Sequence, residues 1–124
     1  MFGKKKKYNK MQELNYDGKK FGIVEVSRNS ETSDDMIFEF KQEGNILTCE
    51  YAGGKIRKGQ LLGLVSPEGR ISMDYQQINT DDKLNTGVCK SRPQRLDNGK
   101  IRIHETWRWT TGDKSYGVSI LEEL

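Results

Sequence analysis

Lys100-Ile101-Arg102-Ile103-His104-Glu105-Thr106-Trp107-Arg108-Trp109-Thr110-Thr111 is the stretch that decides the fold. Successive side chains of an extended strand point to opposite faces. Ile101, Ile103, Glu105, Trp107 and Trp109 therefore share one face, and Arg102, His104, Thr106, Arg108 and Thr110 share the other. The first face is apolar with one interruption, Glu105, and the second is wet. Asn98-Gly99 before the stretch and Gly112-Asp113 after it are turn pairs, which predict a hairpin at each end.

The same rhythm runs outward in both directions. Phe21 to Arg28 reads as a strand, followed by a polar loop, Asn29-Ser30-Glu31-Thr32-Ser33. Met36, Phe38 and Phe40 alternate with Ile37, Glu39 and Lys41, and Gly44-Asn45 turns the chain into Ile46 to Tyr51. Gly53-Gly54 leads into Lys55 to Val65, Ser66-Pro67-Glu68-Gly69 into Arg70 to Ile78, and Asn79 to Asp82 into Lys83 to about Arg95. Asp97-Asn98-Gly99 brings in the tryptophan strand, and Lys114 to Leu124 ends the chain. No helix-length period intervenes, so the expectation is all-β: an antiparallel up-and-down β-barrel of about eight strands, calycin-like. Closure hides the edges that an open sheet would expose. Gly59 and Gly63 inside one strand mark curvature, and Pro93, which cannot donate to a ladder, is expected at a break or an edge.

A chain of 124 residues and 14.3 kDa suits one domain. We place that domain at 19–124, after a basic flexible tail, 1–18, with at most a turn of helix around Met11 to Leu14. Of 21 basic and 18 acidic residues, five lysines and two acids fall in the tail, leaving sixteen of each sign in the body. A nucleic-acid-binding domain carries its basic patch on the folded surface, so no specific nucleic-acid partner is expected. Hydrophobic residues make up 33% in short runs, and no membrane partner is expected either. Lys4 to Lys7 carry the charge of a signal peptide, but no apolar stretch follows, which gives a cytoplasmic expectation. Cys49 and Cys89 lack CxxC spacing and fit two reduced, half-buried thiols. Oligomeric state is not fixed by the sequence.

Three segments carry a resemblance: Tyr51-Ala52-Gly53-Gly54-Lys55-Ile56-Arg57-Lys58-Gly59; Leu61-Leu62-Gly63 with Met73-Asp74-Tyr75-Gln76; and Gly99 to Trp109. Together they resemble a family of small uncharacterised bacterial proteins often labelled N-acetylglutamate synthase, over about Tyr16 to Leu124. Separately, Thr86-Gly87-Val88-Cys89 and the Gly-Lys…Glu-Thr-Trp end are similar to the second half of an avidin-type barrel, which implies a fold and no particular ligand. The synthase label would require acetyl-transfer machinery, whose cofactor pyrophosphate sits on a strand-to-helix turn. Gln60-Leu61-Leu62-Gly63-Leu64-Val65 approaches the Gln/Arg-x-x-Gly-x-Gly/Ala signature but ends in Val65, and no helix follows.

Most reaction chemistries find no residues here. His104 is the sole histidine and sits on the wet face beside Arg102 and Arg108, so no metal is expected. Cys49 or Cys89 as a nucleophile would need that histidine to face inward. Gly54 and Gly59 mimic a phosphate loop, but Gln60-Leu61 stands where Lys-Ser/Thr would hold phosphate and magnesium. No cofactor is expected.

The inward face is different. It is expected to hold Phe38, Phe40, Leu47, Tyr51, Ile71, Met73, Ile101, Ile103, Trp107, Val118 and Ile120, continued by Tyr75, Gln77 and Glu105. Aromatic walls with a few convergent polar groups are how small-molecule pockets are built, so Tyr51, Tyr75, Gln77, Glu105, Trp107 and Trp109 are the expected ligand contacts. The leading function is a non-enzymatic barrel that binds a small molecule inside. Two alternatives stand beside it: an acyl-transfer or isomerase enzyme using Glu105 as acid or base, and an interaction barrel without ligand. In that last case Glu105 is a core carboxylate tied to Arg57 or a tyrosine hydroxyl, because a buried charge requires a partner.

Overall fold

The structure is a computed structural model, and it describes residues 14–124. The lysine run Lys4 to Lys7, and the tail as far as residue 13, lie outside the described residues. The described chain forms nine antiparallel strands and no helix: β1 (Lys20–Val26), β2 (Ile37–Glu39), β3 (Lys41–Glu43), β4 (Ile46–Gly53), β5 (Ile56–Val65), β6 (Ile71–Asn79), β7 (Leu84–Arg95), β8 (Ile101–Trp109) and β9 (Tyr116–Glu123). They make one sheet in the order β2-β1-β9-β8-β7-β6-β5-β4-β3.

Strands β2 and β3 flank a single residue, Phe40. Before it the chain pairs with β1 (Phe21↔Phe38), and after it with β4 (Gln42↔Leu47). One strand has bent and changed partners, which curls the sheet into a nearly closed barrel; nine segments thus do the work of eight strands. The break leaves no orphaned backbone: Phe40 N donates to Lys19 O (3.0 Å) and Gly18 N donates to Phe40 O (2.9 Å).

The tryptophan strand alternates as its sequence predicts, with Ile101, Ile103, Trp107 and Trp109 all buried. At one end the interior is solid. Tyr16, Phe21 and Phe40 pack with ring centroids 5.2–6.2 Å apart, beside the fully buried Leu47, Ile71, Ile101 and Ile103. The expected start of the domain at Lys19 falls too late. Leu14 is buried beside Gly69, and Tyr16, fully buried, donates its hydroxyl to Gly69 O (2.6 Å). Residues 14–18 cap this end of the barrel rather than trailing from it.

The last strand also differs from expectation. Val118 and Ile120 face outward, and Ser119 and Leu121 face in. Directly paired residues share a face, and β8 sets the phase through Glu105↔Ser119 and Ile103↔Leu121. Pro93 lies two residues beyond the last pairing of β7 with β6, Ile71↔Ser91, where β7 has only β8 beside it. Cys49 and Cys89 are free, as expected, and buried rather than half-buried.

Candidate ligand-binding site

Above the solid end the barrel opens into a cavity of about 80 Å³, measured as the space a water's centre can occupy. A water takes roughly 10–15 Å³ on that measure, so the space suits several waters or one small ligand. Its wall is aromatic and aliphatic, with Phe38, Phe40, Leu61, Met73, Trp107 and Trp109 among the lining residues.

The cavity exists because three large rings lie along the wall instead of across it. Tyr51 stands opposite Gly59, Tyr75 opposite Gly87, and Trp107 opposite Gly117 on neighbouring strands. At each of these glycines a methyl group would overlap the facing ring. A ring lying flat on a glycine backbone stays off the barrel axis, the same device that covers glycines in designed sheets. Gly59 therefore makes room for Tyr51 besides helping the strand to bend. Tyr75 and Trp107 each meet Trp109 edge-on, with centroids 5.6 and 5.8 Å apart.

Glu105 borders this cavity and is half-buried. Ser119 Oγ donates to Glu105 Oε1 (2.7 Å), and the Cys89 thiol lies close enough to favour the charged carboxylate. Neither is charged. Burial pushes the Glu105 carboxyl up from the usual range to about 6, and these two groups hold it back in part. The same burial, with Glu105 beside it, raises the Cys89 thiol far above its ordinary range, so it is no thiolate nucleophile. The Arg57 partner is not observed: Arg57 is exposed and pairs with Asp82. No tyrosine hydroxyl reaches Glu105 either; Tyr51 donates to Gln77 Oε1 (2.9 Å) and Tyr75 points at Arg108 O (3.5 Å). Ser91, across from Glu105 on β7, is buried with a hydroxyl that has no partner among the described residues.

The mouth is covered by the segment between β1 and β2. Glu31 accepts three amide hydrogen bonds from the rim: Gln77 Nε2 (2.9 Å), Asn79 Nδ2 (2.7 Å) and Asn85 Nδ2 (3.3 Å). On the other side Trp109 Nε1 donates to Asn29 O (3.1 Å), and Asn29 Nδ2 donates to Tyr116 O (2.9 Å). The strap is tied to β6, β7, β8 and β9, and its Ser30 and Thr32 roof the cavity.

All six residues expected from sequence, Tyr51, Tyr75, Gln77, Glu105, Trp107 and Trp109, line this one cavity. Ser119, Cys89 and the strap residues Ser30, Glu31 and Thr32 were not among them. His104 lies outside, on Gln94 Oε1 (2.7 Å). Among the described residues no group of histidine, cysteine and acidic side chains could hold a metal ion.

No curated protein and no solved structure matches the chain. A family model described as avidin-like protein does match, over residues 14–124, which spans the whole barrel and begins at the buried Leu14. That match gives the barrel its family and leaves the synthase label without support; the chain belongs to the avidin-like family.

Proposed function

We propose that this protein is a non-enzymatic binding module that takes one small molecule inside the barrel, with Tyr51, Tyr75, Gln77, Glu105, Trp107 and Trp109 as the contacts. The observation that carries the reading is the cavity itself. Protein interiors are ordinarily close-packed, yet three cross-strand glycines hold three rings against the wall and keep space open around a carboxylate. A barrel that served only as a scaffold would gain stability by filling that space. Membership of the avidin-like family supports the same class of protein. A cysteine–histidine nucleophile has nothing behind it, because the Cys89 thiol is held protonated and His104 faces away from the cavity. The raised carboxyl of Glu105, by contrast, is the group that an acid–base enzyme at this same site would use.

Trp107 and Trp109 are the only tryptophans in the chain, and both line the cavity. Intrinsic fluorescence therefore reports the site without background. Titration with small aromatic and aliphatic compounds should change the emission saturably in wild type. The change should vanish in Gly117→Ala, where the new methyl overlaps Trp107 and drives the indole towards the lumen. A saturable response that survives unaltered in Gly117→Ala would put the ligand elsewhere and refute the reading.

A further inference from the structure

The cavity's charge says what kind of molecule fits it. Glu105 is the one formally charged side chain on its lining, and among the described residues no lysine, arginine or histidine borders it. A second carboxylate, Glu31, sits at the mouth behind Gln77. Most donors around the space are already engaged. Ser119 and Cys89 serve Glu105, Tyr51 serves Gln77, Gln77 serves Glu31, and Trp109 serves Asn29. The Trp107 indole N–H and, across from Glu105 on β7, the Ser91 hydroxyl remain as neutral donors. The unmet demand is thus for positive charge beside Glu105, in a chamber walled by aromatic rings whose faces are themselves electronegative.

We propose that the ligand is a small organic cation, a protonated amine with an apolar or aromatic body, its ammonium against Glu105 and its body among Trp107, Trp109 and Tyr75. This inference rests on the cavity being the ligand site. A half-buried carboxylate with only neutral partners carries a desolvation cost that an ammonium at hydrogen-bond distance offsets. Trp, Tyr and a carboxylate together form the kind of surface that holds alkylammonium groups. An anion would meet Glu105 with no compensating cation, and a neutral molecule would leave the carboxylate as it is.

The test is a fluorescence and calorimetric titration with three probes of one size and three charges: benzylamine, benzyl alcohol and benzoate, near neutral pH. Benzylamine should bind at least tenfold more tightly than benzyl alcohol, and benzoate should not bind. Glu105→Gln should abolish the preference for benzylamine, so that it binds no more tightly than benzyl alcohol, the expected result of removing one ion pair from an apolar site. If that variant does not fold, Glu105→Asp serves, and should weaken benzylamine selectively. Benzyl alcohol or benzoate binding as tightly as benzylamine would overturn the cation inference while leaving the cavity as a ligand site. Failure of all three to bind wild type, or equal binding to wild type and Gly117→Ala, would overturn the cavity reading and this inference with it.

Discussion

Removing the charge of Glu105 should stabilise the empty protein, and only at neutral and alkaline pH. The carboxyl is moved by burial from an ordinary 4.5 to about 6, which corresponds to about 2 kcal/mol. A folded-state value above the unfolded one means that the native protein holds its proton more firmly. The favourable contribution is therefore complete below about pH 4.5 and is lost as pH rises through about 6. Wild type at neutral pH carries the penalty of a half-buried charge whose partners are all neutral. In Glu105→Gln the side-chain oxygen can still accept from Ser119, and the charge is gone. Thermal and urea melts of ligand-free wild type and variant should coincide at acid pH. Above neutrality the variant should be more stable by up to about 2 kcal/mol, a rise in Tm on the order of 8 °C for a domain of this size. Groups such as His104 titrate in both proteins and cancel in the difference. A variant less stable than wild type at neutral pH, or a gap independent of pH, would show that Glu105 is a structural partner and refute the argument.

Gly117→Ala should lose about 1–3 kcal/mol by overpacking, read in urea melts, and should change the fluorescence of the empty protein as Trp107 leaves the wall. Leu14→Ala should cost about 2–5 kcal/mol and Tyr16→Phe about 1 kcal/mol, although both residues precede the first strand; a loss near zero for both would return residues 14–18 to the status of a tail. Glu31→Ala leaves the buried Gln77 and Asn79 amides without their acceptor. It should cost about 1–3 kcal/mol and raise amide hydrogen exchange across residues 27–36, measured by mass spectrometry, well above that in the strands.

Much of this molecule is legible in its sequence, and the illegible parts share a cause. The alternation of Ile101 to Trp109 gives the face of β8, and from it the inward direction of Glu105. Turn pairs such as Gly44-Asn45 give the meander, because both are local. The phase of β9 is not local. Val118 and Ile120 are as apolar as any core pair, and this barrel also leaves Leu62, Leu64 and Val88 exposed on its outer wall. Apolar alternation then fits either face, and only the pairing with β8 decides. Glu31 has a similar history: a lone acid in a polar loop, whose three amide partners lie 46 to 54 residues further on. Leu14 and Tyr16 stand close behind a lysine run and follow no period, so nothing nearby announces that they are core. Gly59, Gly87 and Gly117 were visible as residues, but their purpose depends on which ring each one faces across a register.

The first and last strands are neighbours, with Phe21 opposite Glu123. From β4 to β9 every pairing joins consecutive hairpins, each able to form soon after its turn. The β1–β9 seam instead joins residues about a hundred positions apart, a loop whose closure is entropically costly and slow. A natural order of events is a curled meander first and the seam last. The strap cannot seat before that, since Asn29 reaches both Trp109 and Tyr116 across the seam. A guest held beneath the strap would oppose the seam's opening, so occupancy should register chiefly as slower unfolding, with the refolding rate almost untouched.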